Sequence, residues 1–305
     1  MHTLCMKKMI LCMSLLLSFL IGIETPAKAN SEPTIAIIDS GVAASLFANN
    51  IAYEVCLINL PRCPNQKSSM EGPGAANLAP TSDKMLNHGT QMASIVTAVN
   101  PSAKIIPIRI VGMTPKGVAG LYSLDDVQNA LNWIITNRVK YNISVVLLAQ
   151  GAVMVNCRVP AGMAQSIATL KAVNVPVIAA VGNDSNRKAV FSPACLPDAV
   201  AVGATDNPWN GTGANTYDPD AAPYIARYSN GAQGQVDFYL NARYNTKLTD
   251  GTTKFVVGTS NSAAALAGWW LLNRKATFDE TFNSIMATTT EAKNEFVTGR
   301  YVRLP

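Results

Sequence analysis

The chain has 305 residues, 49% of them apolar and 14% charged, with a formal net charge of +5. That balance supplies a sizeable core and excludes an intrinsically disordered chain. The basic residues are scattered, never more than two together, so no run of charge calls for a nucleic-acid or membrane-surface partner.

The first element is a targeting segment. Met1 to Lys8 is a short basic stretch ending in Lys7-Lys8, Met9 to Ile23 is almost wholly apolar, and Ala27-Lys28-Ala29 has the small-x-small pattern a signal peptidase reads. The apolar run of about 15 residues is short beside the roughly 20 that span a bilayer. The expectation is a signal peptide over 1–29, cleavage after Ala29, and a secreted or periplasmic mature chain at 30–305 with no stable membrane association. Losing Lys7, Lys8, Lys28 and Glu24 removes a net +2 and leaves +3.

Thr34 to Ile38 reads as a buried strand ending in Asp39, with a turn at Gly41. A carboxylate at the carboxyl end of a central strand lies where α/β sheets place active sites, although an Asp here also suits a turn. Residues 44–83 hold a Gly, Pro and Ser cluster and read as a surface insertion. Cys56 and Cys63 flank a short loop within it. With Cys157 and Cys195 they make four cysteines in the exported chain, an even number that favours disulfides with three pairings open; a local Cys56–Cys63 bridge is the simplest. A zinc site is the weaker reading, because no CxxC spacing occurs and one histidine survives export.

That histidine is His88, so any imidazole base must be His88. Asn87-His88-Gly89-Thr90 opens a run at helical spacing through Val99, which predicts His88 at or near a helix N-terminus, where the dipole disfavours imidazolium. Gly89 leaves room beside the ring for another chain. Ala103 to Ile110 is a second strand, Leu124 to Val139 a helix, Ile143 to Ala149 a strand, Ala161 to Val173 a helix, and Val175 to Val181 a strand that runs into Gly182-Asn183. The alternation predicts a single α/β domain, a doubly wound, mostly parallel sheet with helices on both faces. Asn207 to Asn230 reads as loop. Thr252 to Val257 is a further strand, after which Gly258-Thr259-Ser260 begins an Ala-rich helix through Trp270. Ser260 is the nucleophile candidate and otherwise a plain N-cap; Asn183 and the Ser260 N–H are candidate donors to an oxyanion.

Asp39-Ser40-Gly41, His88-Gly89-Thr90 and Gly258-Thr259-Ser260 resemble the three signature motifs of the subtilisin-like serine peptidases, the subtilases, in that family's order of Asp, His, Ser. Ala179 to Asn183 resembles the oxyanion-Asn segment, and Ser192-Pro193 falls where the family often has a cis proline. The similarity runs from about Thr34 to about Arg303. It implies an Asp-His-Ser triad in a secreted serine endopeptidase: Asp39 orients His88, His88 is general base and acid, Ser260 the nucleophile, Asn183 the oxyanion donor. It further implies that Ala149, Gln150 and Gly151 pair with an extended polypeptide substrate, that Gly151 lines the primary specificity pocket, and that Cys157 and Cys195 stand on neighbouring walls of that pocket.

Four departures stand beside this resemblance. Asn261-Ser262-Ala263-Ala264-Ala265 replaces the usual Met-Ala-x-Pro-His, Ala149-Gln150-Gly151 replaces Ser-Leu-Gly, and Leu240-Asn241-Ala242 replaces Ala-Pro-Gly. Only Asn30 to Pro33 separate the cleavage site from the first strand, so no prodomain is recognised, and folding is expected to rely on a separate inhibitor or folding partner, on the disulfides, or on an easier pathway. No calcium loop is recognisable, so no metal or other cofactor is expected, with 44–83 the one place left for calcium. The protein is expected to be a monomer without nucleic-acid partners. The alternative is a catalytically inactive, peptide-binding module on the subtilase fold. The absence of a G-x-S-x-G elbow argues against an α/β-hydrolase esterase.

Overall fold

A computed structural model describes residues 32–59, 62–114, 116–152, 154–206 and 223–304. The expected signal peptide at 1–29 and most of the loop expected at 207–230 lie outside them. In chain order the elements are β1 (Thr34–Asp39), a 3-10 turn (Ala44–Phe47), β2 (Val55–Leu57), β3 (Ser69–Glu71), α1 (Lys84–Val99), β4 (Lys104–Arg109), β5 (Gly112–Met113) and β6 (Ala119–Gly120). There follow α2 (Leu124–Asn137), β7 (Ile143–Leu148), α3 (Met163–Ala172), β8 (Val177–Ala180), β9 (Val200–Asp206), β10 (Tyr224–Ile225) and β11 (Phe238–Asn241). The chain closes with β12 (Arg243–Lys247), β13 (Thr253–Val257), α4 (Thr259–Asn273), α5 (Phe278–Met286), β14 (Thr290–Lys293) and β15 (Thr298–Tyr301).

One 11-stranded sheet has the order β10-β14-β15-β11-β9-β8-β7-β1-β4-β2-β3. It is parallel from β2 through β15 and antiparallel only where β3, β10 and β14 finish its edges. This confirms the doubly wound, mostly parallel α/β fold. Alternate residues of the central strands face opposite layers. Ile35, Ile37, Val145 and Leu147 pack with α1, α4 and α5, while Ala36, Ile38, Val146 and Leu148 pack with α2 and α3. Strands covered on both faces need an apolar residue at every position, which is why they read as continuous runs.

The winding direction reverses at β1. Its neighbours are β4 on one side and β7 on the other, so the crossovers diverge and a crevice opens above the carboxyl ends of β1 and β7. Asp39 ends β1, and Ala149 follows β7 directly. The site therefore forms where the topology leaves a gap.

Two expectations need correction, and a third gains its place. Residues 44–83 are not simply a surface insertion: Val55-Cys56-Leu57 adds a strand parallel to β4, with Val55 and Cys56 fully buried. Three residues are too short a run to show periodicity. The strand expected at Thr252 to Val257 is present as Thr253 to Val257, paired antiparallel with β12 in a separate, largely exposed hairpin. Finally, α1 begins at Lys84, not near His88, because the Asp83 carboxylate caps it by accepting from the N–H groups of Met85 (2.8 Å) and Leu86 (3.0 Å).

Candidate active site

The Asp39-Ser40-Gly41 and His88-Gly89-Thr90 motifs are two sides of one packing contact. A Cβ on Gly89 would stand 2.1 Å from the Gly41 carbonyl oxygen, so only glycine lets α1 lie on the turn after β1. The space expected beside the histidine is filled by that turn. Ser40 locks it: its hydroxyl donates to the Leu86 carbonyl and accepts from the Gly89 N–H, both at 2.9 Å. Thr90 completes the joint by accepting from the Ala43 N–H at 3.1 Å.

Held this way, His88 Nδ1 lies 2.8 Å from Asp39 Oδ2 and 3.0 Å from Oδ1. The carboxylate is 1% exposed, the imidazole 22%. Asp39 accepts further from the Ser40 N–H at 2.7 Å. A carboxylate at this distance fixes the proton on Nδ1 and leaves the Nε2 lone pair for other chemistry. His88 stands more than a turn inside α1, where the helix dipole has largely faded. Burial of the ring works against imidazolium. The Asp39 charge and its hydrogen bond outweigh it and hold the His88 pKa above its ordinary value.

A third side chain joins this pair. Gln150 Nε2 donates to Asp39 Oδ1 at 3.2 Å and lies 3.0 Å from His88 Nδ1. The family resemblance implies a substrate-pairing place for Gln150; the contact with Asp39 adds a second role for its side chain. Its only signal was a polar residue where the resembled family carries an apolar one.

Ser260 sits in the first turn of α4 but does not cap it, since the N-cap Gly258 has no side-chain bond and the Ser260 hydroxyl instead donates to the Ala149 carbonyl at 3.4 Å. No hydrogen bond joins it to His88. Asn183, after β8, accepts from the Thr259 N–H through Oδ1 at 2.9 Å, which leaves Nδ2 without a hydrogen-bond partner among the described residues. Thr259 in turn accepts from the Gly182 N–H at 3.2 Å, so the two segments brace each other.

His88, Asn183 and Ser260 line one open cleft of about 670 Å³, with Lys84, Lys254 and Val256 on its far walls. The β12–β13 hairpin forms much of that wall. Asn87 pins its turn to α1, accepting from the Thr249 N–H at 2.7 Å. Asn261, where the resemblance has methionine, donates to the carbonyls of Ala242 (2.8 Å) and Val256 (3.1 Å) and pins the hairpin's base. Ala149, Gln150 and Gly151 leave the sheet on the opposite side of Ser260. Gly151 packs on the Ser192 carbonyl so closely that a Cβ would stand 2.5 Å from it. Ser192-Pro193 is cis, and Cys157 is bonded to Cys195 beside it. Cys56 is bonded to Cys63 at the far edge of the sheet. Among the described residues no group of three or more His, Cys, Asp or Glu side chains is arranged to hold a metal ion.

Comparison with known proteins identifies the family and the fold. The profile described as "Subtilase family" matches residues 30–298. M-protease of Shouchella clausii (strain KSM-K16) is 23% identical over 205 residues, covering 57% of this chain and 50% of that protein. The chain thus spans about half the length of this curated relative. Among solved structures, Sphericase superposes with a TM-score of 0.69 at 14% identity, covering 93% of this chain and 95% of its own. A cold adapted subtilisin-like serine proteinase superposes with a TM-score of 0.63 at 17% identity, covering 92% and 91%. Proteases from Pseudoalteromonas arctica PAMC 21717 give 0.64 at 20% identity, covering 92% and 89%. At these identities the structures speak for the fold.

Proposed function

The chain belongs to the subtilase family, and from that premise we propose that it is an exported serine endopeptidase acting through Asp39, His88 and Ser260. The observation that carries this reading is the 2.8 Å contact between Asp39 and His88 Nδ1 at the mouth of the cleft that Ser260 and Asn183 also line. In the reaction, Ser260 Oγ attacks a peptide carbonyl while His88 Nε2 takes its proton. Asp39 steadies the resulting imidazolium, which then protonates the leaving amine. Asn183 Nδ2 and the Ser260 N–H receive the negative charge that develops on the carbonyl oxygen.

The extended substrate lies along Ala149, Gln150 and Gly151, with the Cys157–Cys195 bridge stiffening the neighbouring wall. Export follows from the expected signal peptide and suits a chain with two disulfides.

Labelling by a fluorophosphonate probe, beside casein cleavage, tests the reading. The parent chain is expected to label and to cleave, and Ser260→Ala to do neither. A parent that folds and binds peptide without labelling would instead be an inactive binding module.

A further inference from the structure

Gln150 is the one residue around the Asp39–His88 pair whose chemistry the triad does not require. The winding of the sheet puts it there. β1 and β7 are neighbours at the point where the crossovers diverge, with Ile38 opposite Leu148, so the residues just past each strand face one another across the crevice. Asp39 comes from one side and Gln150 from the other.

The orientation of the carboxamide follows from its partner. Turned over, Gln150 would set Oε1 against the Asp39 carboxylate, two acceptors with no proton between them. With Nε2 facing Asp39, Oδ1 collects three donors: the Ser40 N–H at 2.7 Å, His88 Nδ1 at 3.0 Å and Gln150 Nε2 at 3.2 Å. The amide and the imidazole thus share Oδ1 of one carboxylate, their nitrogens 3.0 Å apart, while the ring keeps its shorter contact, 2.8 Å, to Oδ2.

We propose that Gln150 is a positioning residue that acts through Asp39: its amide steadies the carboxylate and draws on part of the negative charge that holds the imidazole's proton. A hydrogen bond given to a carboxylate satisfies charge that otherwise goes to its ion-pair partner. With the amide in place, His88 is held less tightly in its charged form than Asp39 alone would hold it, and so is free to act as a base at lower pH. This rests on the triad assignment for its catalytic meaning, but the effect on His88 is a property of the resting protein.

The other charged groups near the ring stay constant in the test. Lys84, one turn earlier on α1, and Asp250 and Lys254 on the hairpin line the same cleft, and all are exposed. Among the described residues, Asp39 is the only carboxylate hydrogen-bonded to the ring.

The test is an NMR titration of His88 in the full chain carrying Ser260→Ala, with the His2 signals identified from His2→Ala. Gln150→Met keeps the length and removes the donor. The expected result is a His88 titration displaced to higher pH; a titration unmoved or displaced downward would overturn the proposal. Gln150→Glu places a second carboxylate at the same spot and is expected to move the titration further in the same direction. It gives an independent reading should Gln150→Met fold poorly, and an unchanged titration there would show that the side chain does not face the pair. In the active chain Gln150→Met is expected to lower kcat about tenfold, the scale of one hydrogen bond to a charged group, with the acid limb of the pH profile shifted upward and KM little changed. An altered KM with the limb in place would make Gln150 a substrate contact only. Because the titration needs no turnover, its outcome stands apart from whether Ser260 is ever labelled.

Discussion

The two halves of the site are built differently. Asp39 and His88 are wired together by two glycines, a serine hydroxyl and a short ion pair, all fixed before any substrate arrives. Ser260 and Asn183 are braced against each other's loops, yet Ser260 donates to Ala149 and not to His88. The Asp39–His88 half is fixed because its elements pack directly. The Ser260 half borders an open cleft, where the resting hydroxyl takes the Ala149 carbonyl.

If the halves nevertheless form one machine, their losses cannot add. Ser260→Ala is expected to cut kcat about 10⁶-fold, and the double variant with Asp39→Asn to cost no more, read by single-turnover peptide hydrolysis. A double variant markedly worse than the serine variant would mean two independent devices.

Asp39→Asn alone is expected to cost about 10⁴-fold. It also moves the acid limb of kcat/KM in a known direction. Burial lowers the His88 pKa and Asp39 raises it, with the net above the ordinary value. With the carboxylate gone, burial remains and the limb falls to lower pH. A limb that rose instead would show that Asp39 does not govern the ring. For stability the sign is opposite to activity: a raised folded-state pKa means the pair stabilises the fold below the ordinary histidine range, and that contribution is lost as pH rises through the folded value.

Asn183→Asp separates bracing from oxyanion binding, since it keeps the acceptor for the Thr259 N–H and loses the free Nδ2 donor. It is expected to lose at least as much of kcat as Asn183→Ala, about 10²–10³-fold. If Asn183→Asp kept most of the activity, the side chain would serve only as a brace. The smallest effect is expected at Asn261. Asn261→Ala leaves the Ala242 and Val256 carbonyls without this donor and is expected to cost about 1–3 kcal/mol, seen as a lower melting temperature and a hairpin more open to proteolysis.

Much of this was legible in the chain. Six buried residues in a row at β1 leave no polar face, so its strand character and central place could be read from Thr34 to Asp39. His88 followed from elimination. The first turn of α1 did not, because its start depends on Asp83 turning a carboxylate back to two N–H groups, and the adjacent pair Met85 and Leu86 shows no helical period by itself. β2 was hidden by its length, and the hairpin's separation from the sheet by an ordinary strand pattern at β13.

By itself the sequence determined what each element is made of: which strands are covered on both faces, where glycine is required, and that a lone histidine must serve any imidazole chemistry. Tertiary structure decided who meets whom. Gly89 and Gly41 touch, Asn261 reaches the hairpin, and Gln150 reaches Asp39, because the reversal of winding at β1 brings segments 111 residues apart to the same crevice. A local pattern records the burial of a side chain, since burial repeats with the helix or strand. It carries no record of the partner across a crevice, which is set by how strands are ordered in the sheet.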